Sequence, residues 1–367
     1  MSGNRAAFLL EPKGRFEVRD APIEQPGPGE VLVKVQAGAL QPADEKVAKM
    51  AMLPVEYPAV LGSPVGGIVQ ALGEGVTKVA VGDHIVCGTK IFTHKKPKYG
   101  GMQRYTLVDE SEVIEVSNLL VGSYLHRTNS RGIQVGDTDF TKVVTLGSYT
   151  PPGCLFGSNT LNMQYPSIPA NPLAADEEGK KILIWGGSSA MGSLCISYAK
   201  QAGYTVISTS SPHNFDLLKS LGADHIFDHS DPTTVDKIRN LFPIHYWLDT
   251  ISLNQSVTTI CKILAPEGKP ATKAYIHMLL PMVMAGNPTL PEGVTAGMHR
   301  FSTHAPENAD WAKYFLSRGG FMEQGIKSGV IKGVPPYSLG GLEKVSEGIE
   351  ELHKGVSGKK VVIDPWA

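Results

Sequence analysis

No Cys-x-x-Cys pair occurs in this chain, and its four cysteines, Cys87, Cys154, Cys195 and Cys261, stand far apart. Neither a zinc knuckle nor a disulfide framework is therefore indicated. An excess of one charge is missing too. Lys and Arg number 34 against 35 Asp and Glu, a formal net charge of −1, so there is no broad basic surface to hold nucleic acid. The short cluster His94-Lys95-Lys96-Pro97-Lys98 reads as a solvated loop. Long apolar runs are also absent. The run at 6–10 stops at Glu11, too short for a signal-peptide core. The longest, 274–285, is broken by His277 and Pro281 and falls well below the ~20 residues that cross a bilayer. A cytoplasmic protein is expected, without membrane or nucleic-acid partners.

What is present is an ordinary globular composition over 367 residues, 42% hydrophobic and 19% charged, long enough for two domains. Residues 1–116 read as β structure. The apolar, β-branched run Val31-Leu32-Val33-Lys34-Val35 follows Pro26-Gly27-Pro28-Gly29, and Val81-Gly82-Asp83 suits a tight turn before a strand. From about Gly179 the pattern changes. Lys181-Ile182-Leu183-Ile184-Trp185 has the continuous apolarity of a strand buried on both faces. A glycine-rich turn and a helical stretch at 191–202 follow. Strands are expected at 204–208, 225–227 and 244–249, with a helix at 214–221. This alternation predicts an α/β fold with a doubly wound parallel sheet of the Rossmann type.

The most informative segment is Gly186-Gly187-Ser188-Ser189-Ala190-Met191-Gly192, between an apolar strand and a helix. Small residues there let the backbone approach a dinucleotide pyrophosphate, and the helix amides favour its charge. Ser189 either adds a hydroxyl donor or narrows the site. NAD binders place Asp or Glu after the second strand to hold the ribose hydroxyls. Here the chain reads Ser208-Thr209-Ser210-Ser211-Pro212-His213-Asn214, without a carboxylate. Nothing in that turn repels a 2′-phosphate, and NADPH is the expected cofactor. The competing reading of Ser211 and Asn214 is that they cap the next helix. No Arg stands in the turn; Lys219 is a more distant cation.

Together, Gly62-Ser63-Pro64-Val65-Gly66-Gly67-Ile68-Val69, Val81-Gly82-Asp83-His84-Ile85, the glycine turn and Ser220-Leu221-Gly222-Ala223-Asp224 resemble the quinone and enoyl reductases of the medium-chain superfamily. The stretch 211–219, Ser-Pro-His-Asn-Phe-Asp-Leu-Leu-Lys, is similar to the fungal trans-acting enoyl reductases within it. The resemblance covers nearly the whole chain. It implies a GroES-like β-rich substrate domain at 1–150 and an NADPH-binding Rossmann domain at 151–305. A segment at 306–367 is then expected to return to the first domain. Zinc members carry Gly-His-Glu near residue 62 and a Cys shortly before residue 44. This chain has Gly62-Ser63-Pro64 and no such Cys, so no metal is expected. The family's Ser-Asp-x-Lys segment near the nicotinamide corresponds to Ala43-Asp44-Glu45-Lys46, with Asp44 and Lys46 retained. Pyrophosphate contacts fall on Ser188, Ser189, Ala190 and Met191, flanked by Gly186, Gly187 and Gly192. Adenosine-phosphate contacts fall on Ser211, Pro212, His213 and Asn214. His229 stands where the family has a tyrosine, and Val356 and Ser357 match a further cofactor contact.

Hydride transfer to a conjugated double bond needs an oxyanion donor and a proton source. Lys46 and Tyr149 are the candidates; Tyr149 donates a proton or forms a wall, and water is the alternative source. The methionine-rich stretch 278–284 lines an acyl pocket, or is core or a subunit contact. The implied role is a trans-acting enoyl reductase of fungal polyketide metabolism, with a small-molecule or carrier-tethered enoyl substrate and a polyketide synthase as partner. A stand-alone quinone or enone reductase and a non-catalytic NADPH-binding sensor or scaffold are the alternatives. Monomer and homodimer stay open. Residues 116–134 form an atypical insert without family counterpart. They are either a surface loop or a translated intron, since Val116-Ser117, Thr128-Asn129 and Ile133-Gln134 admit splice-signal codons.

Overall fold

The computed structural model describes residues 3–117, 134–135, 138–267 and 271–367. Most of the 116–134 insert lies outside the described residues. Two units are present, one formed by Met1–Tyr149, Ala312–Gly329 and Pro335–Ala367, the other by Thr150–Trp311 and Val330–Val334.

In the first unit, period-2 alternation along one strand feeds two cores at once. Glu30–Ala39 sends Val31, Val33 and Val35 to a cluster with Val65, Val69, Ile85 and Val108, while Leu32 packs with Tyr99, Tyr105 and Leu107. This strand pairs antiparallel with Val65–Leu72 and Tyr105–Asp109. Where Gly67 opposes Val35, a Cβ would drive into the Lys34 carbonyl, so a side chain is excluded. At its far end Gly38 and Ala39 pair with Ile363 and Val362 of the strand Lys360–Ile363. That strand runs parallel to Pro336–Gly340. The Val81–Asp83 turn forms as its residues dictate. Gly82 takes φ +96° and the Asp83 carboxylate accepts from Ala80 N at 2.9 Å. The strand after it is short, His84–Cys87.

The second unit carries a six-stranded sheet whose neighbouring strands all run parallel. Its order is His225–Asp228, Thr205–Ser210, Lys181–Trp185, Tyr246–Asp249, Ala274–Met278, Val294–Gly297. The order reverses beside Lys181–Trp185, and ligands of such sheets bind outside the carboxyl ends of the strands at that reversal. Trp311 belongs to this unit because its indole packs edge-on against Phe301 and donates to Pro152 O at 3.2 Å. Met278 is fully buried in the core with Ile276 and Trp247, so this member of the methionine-rich stretch is core, whereas Val283 is 67% exposed. His277 is buried and neither ring nitrogen has a partner among the described residues. Burial, with His299 stacked beside it, pulls its pKa down to about 4, so the ring is neutral.

The first unit's strand hub is locked by a buried ion pair. Lys90 Nζ donates to Glu30 Oε1 at 2.9 Å, and Tyr99 Oη donates to the same oxygen at 2.8 Å. Burial opposes the charge, yet Lys90, the Gly27 amide and Tyr99 together hold the Glu30 carboxyl down at about 2. Its folded pKa is depressed, so its stabilisation is complete above the ordinary 4.5 and is lost as pH falls toward about 2. Glu30→Gln is expected to cost about 3 kcal/mol, the low end for breaking a buried pair. Asp109 Oδ2, at 3.8 Å, still faces Lys90 and limits the loss. Denaturant titrations from pH 7 down to 3 should show the wild-type advantage shrinking with acid; a constant gap would rule out this role for the pair.

Candidate functional site

The second unit gathers its candidates at the carboxyl end of the reversal point. Lys181–Trp185 delivers the chain into an elbow where Gly186 adopts φ +83°, a region that favours glycine. The helix Ala190–Gln201 then starts at once. Three glycines permit this close packing. A Cβ on Gly187 would meet Ile196 Cδ1 at 2.7 Å as well as the Ser208 hydroxyl, and one on Gly192 would strike the Gly186 carbonyl and Gly187 Cα. Strand neighbours pin the elbow. Gly186 N donates to Thr209 Oγ1 at 3.1 Å and Gly187 N to Thr209 O at 2.9 Å.

Ser189 has a definite task. As N-cap its Oγ accepts from Gly192 N at 2.9 Å and lies 3.1 Å from Thr250 Oγ1. The Ser189 hydroxyl is thus engaged as a cap. The first-turn amides of Ala190 and Met191 lie half-buried at the helix start, where helices offer N–H groups to anions. Thr250, which the sequence reading did not single out, completes the elbow by donating to Trp185 O at 2.7 Å. It follows Asp249, a buried carboxylate that accepts from Ile251 N, Ser252 N and Ser256 Oγ. Burial raises its pKa against those donors. An Asp-Thr pair at the end of the fourth strand of a parallel run was the available signal.

The adjacent strands Thr205–Ser210 and His225–Asp228 end level, Ser210 opposite Asp228. Just beyond them Ser211 Oγ lies 3.1 Å from His229 Nε2, so these two predicted residues meet. Pro212 and His213 are exposed, and Asn214 is buried with its Nδ2 3.2 Å from His213 Nε2. Neither Ser211 nor Asn214 caps a helix with its side chain. The capping reading therefore fails, because both side chains turn toward imidazoles instead.

In the first unit Asp44 holds backbone. Its side chain is fully buried, with Oδ2 accepting from Gln41 N at 2.9 Å and Oδ1 from Gly62 N at 2.8 Å. A carboxylate so enclosed positions backbone and has no oxygen to offer a cofactor. Burial raises its pKa to about 6 against those two amides and the Lys360 ammonium. Lys360, also buried and also missed from sequence, is lowered by burial to about 8, with Asp44 opposing. Lys46 lies one turn along the helix Pro42–Met50, half-buried, its ammonium 3.8 Å from Glu45. Tyr149 is hydrogen-bonded to Glu112. Burial first, and that carboxylate second, push its pKa well above the phenol's ordinary value. Val356 packs against the unit's core, and Ser357 is exposed just after the helix Val345–Lys354. Among the described residues no group of three or more His, Cys, Asp or Glu is placed to hold a metal. Ser63 Oγ accepts from Thr89 N at 3.1 Å.

Comparison with known proteins gives matches along the chain. Residues 27–118 match the alcohol dehydrogenase GroES-like domain and residues 190–313 the family described as zinc-binding dehydrogenase. The trans-enoyl reductase himH of Aspergillus japonicus is 30% identical over 383 residues, covering 98% of this chain and 97% of that protein. The trans-enoyl reductase tndF of Aspergillus flavipes is 30% identical over 372 residues, covering 98% of each. Among solved structures, the CurK enoyl reductase superposes with a TM-score of 0.70 at 15% identity, over 99% of both chains. The quinone oxidoreductase of Pseudomonas syringae pv. Tomato gives 0.68 at 17%, over 99% of this chain and 100% of that one. At such identities the structural likeness concerns the fold.

Two substitutions test the local physics. Asp44→Asn turns an amide NH2 toward a backbone N–H and should cost about 1–3 kcal/mol in urea denaturation. Gly192→Ala should cost a similar amount through overpacking and should weaken dinucleotide binding in the same preparation. Full stability and full binding in the alanine variant would show that the elbow tolerates a side chain.

Proposed function

This chain belongs to the medium-chain dehydrogenase/reductase family that contains the fungal trans-enoyl reductases, and on that premise we propose that it reduces activated carbon–carbon double bonds with NADPH, without zinc, in trans to a fungal polyketide synthase. Membership makes it a pyridine-nucleotide-dependent oxidoreductase. The observation that carries the choice of NADPH is the carboxylate-free turn after Thr205–Ser210, where Ser211 meets His229 and Asn214 meets His213. An Asp or Glu there would hold ribose hydroxyls and repel a 2′-phosphate.

The glycine elbow fits a dinucleotide because its Cβ-free residues let the strand turn directly into the helix, whose first-turn amides at Ala190 and Met191 would meet a diphosphate. Ser188 lines the same turn. Ser211, Pro212, His213, Asn214 and His229 would take the adenosine 2′-phosphate. When bound, NADPH supplies hydride to the β-carbon of an enone or enoyl thioester. Lys46 donates a hydrogen bond to the ribose or to the oxygen where negative charge develops. Asp44 holds the backbone at Gln41 and Gly62 and so fixes the helix that carries Lys46. Tyr149 stays protonated through burial and its bond to Glu112. A phenol with a raised pKa and a hydroxyl bonded to Glu112 is a weak proton donor, so Tyr149 would form a wall and water would supply the proton to the α-carbon. The zinc positions of the family are filled by Ser63 and Pro64, which lack imidazole and carboxylate donors.

Purified protein should consume NADPH in the presence of a crotonyl thioester, and a chelator should leave the rate unchanged. Turnover with quinones alone would reassign it as a stand-alone quinone reductase, and turnover with neither would remove the catalytic role. Tyr149→Phe should keep kcat within about threefold, against the 10²–10⁴-fold loss of a general acid. A loss in that larger range would make Tyr149 the proton donor.

A further inference from the structure

We propose that the preference for NADPH over NADH is a proton-coupled preference: His229, assisted by His213, takes up a proton from solvent as the 2′-phosphate binds. The inference rests on the NADPH reading above and adds how this chain compensates the charge.

Near neutral pH a phosphate monoester carries about −1.5 to −2 charges. In the turn at 208–214 there is no Lys or Arg to meet it. Ser211 and Asn214 offer neutral donors only. Imidazole is the side chain that supplies positive charge by binding a proton in this pH range. Two imidazoles border the place where the phosphate would sit, His229 against Ser211 and His213 against Asn214. Both rings are exposed. The second nitrogen of His229 is 3.2 Å from Ser230 Oγ, a partner whose hydroxyl either donates or accepts. The ring can therefore keep a hydrogen bond in either charge state.

The carboxylates nearest to His229 in sequence have partners of their own. Asp228 Oδ1 accepts from Ser230 N. Asp231 is bound by Lys237 at 2.8 Å and by Thr233, and Asp236 by Arg239 at 2.8 Å. Lys262 and Glu267 line the cavity of about 590 Å³ that His229 also lines, together with Asp231, Asp236 and Arg239. Asp216 and Lys219 stand on the helix Phe215–Leu221, one of each sign. The two carboxylates of that cavity nearest His229 in sequence are committed to their own cations, and among the described residues His229 makes no ion pair with a carboxylate.

The test is titration calorimetry of NADPH and NADH at pH 7.5 in two buffers of different ionisation enthalpy, which counts protons taken up on binding. NADPH should take up more than NADH. His229→Arg should retain the preference while removing most of that excess, because guanidinium is already charged. His229→Gln should lower the preference by about tenfold or more, as expected for losing a hydrogen bond to a charged group. Equal uptake for both dinucleotides overturns the inference while leaving NADPH as cofactor. An excess that persists in the combined His229→Arg and His213→Gln variant belongs to the phosphate itself and also overturns it. If wild-type protein shows no preference for NADPH at all, the cofactor assignment falls together with it.

Discussion

The chemistry proposed for this chain depends on one close approach, that of the Gly186–Gly187 backbone to the start of the helix at Gly192. The Gly186 carbonyl and Gly187 Cα leave no room for a Cβ on Gly192. Because they approach so closely, the strand Lys181–Trp185 turns directly into the helix Ala190–Gln201, and the helix's first amides face outward at the sheet's reversal point. Helix amides with unmet hydrogen-bonding capacity are what a diphosphate needs. Ser189 and Thr250 make the turn rigid by using their hydroxyls internally.

The same economy governs the buried carboxylates. Asp44 and Asp249 are each enclosed; Asp44 accepts from two backbone amides, and Asp249 from two backbone amides and the Ser256 hydroxyl, beside candidate functional residues. Burial raises both pKa values, while the amides work in the other direction. A buried acceptor with two or three N–H donors fixes loop geometry more firmly than a surface ion pair does. Such residues act through position. In the first unit this holds the helix bearing Lys46, and in the second it holds the segment after Tyr246–Asp249.

Much of the architecture was legible along the chain. The elbow, the apolar strand before it and the alternation of strand and helix are local patterns, and local sterics are enough to read them. The second strand runs two residues further than its apolar core suggested, because Thr209 and Ser210 are buried in the sheet despite their hydroxyls. Partnerships between distant residues were not legible. Glu112 with Tyr149, Lys360 near Asp44, and Ser211 with His229 each join positions that no periodicity relates.

By itself the sequence determined which segments can bend, which must be buried and which turn lacks a carboxylate, since these depend on side-chain size, polarity and backbone freedom at neighbouring positions. Only the tertiary structure decided how each polar group is used. Ser189 became a helix cap, Asp44 an anchor for the Gln41 and Gly62 amides, and Ser211 a partner of His229 and not a side-chain helix cap. The reason is that a hydroxyl or carboxylate bonds to whichever groups the fold brings within about 3 Å, and that distance is set by strand pairing and packing across the chain.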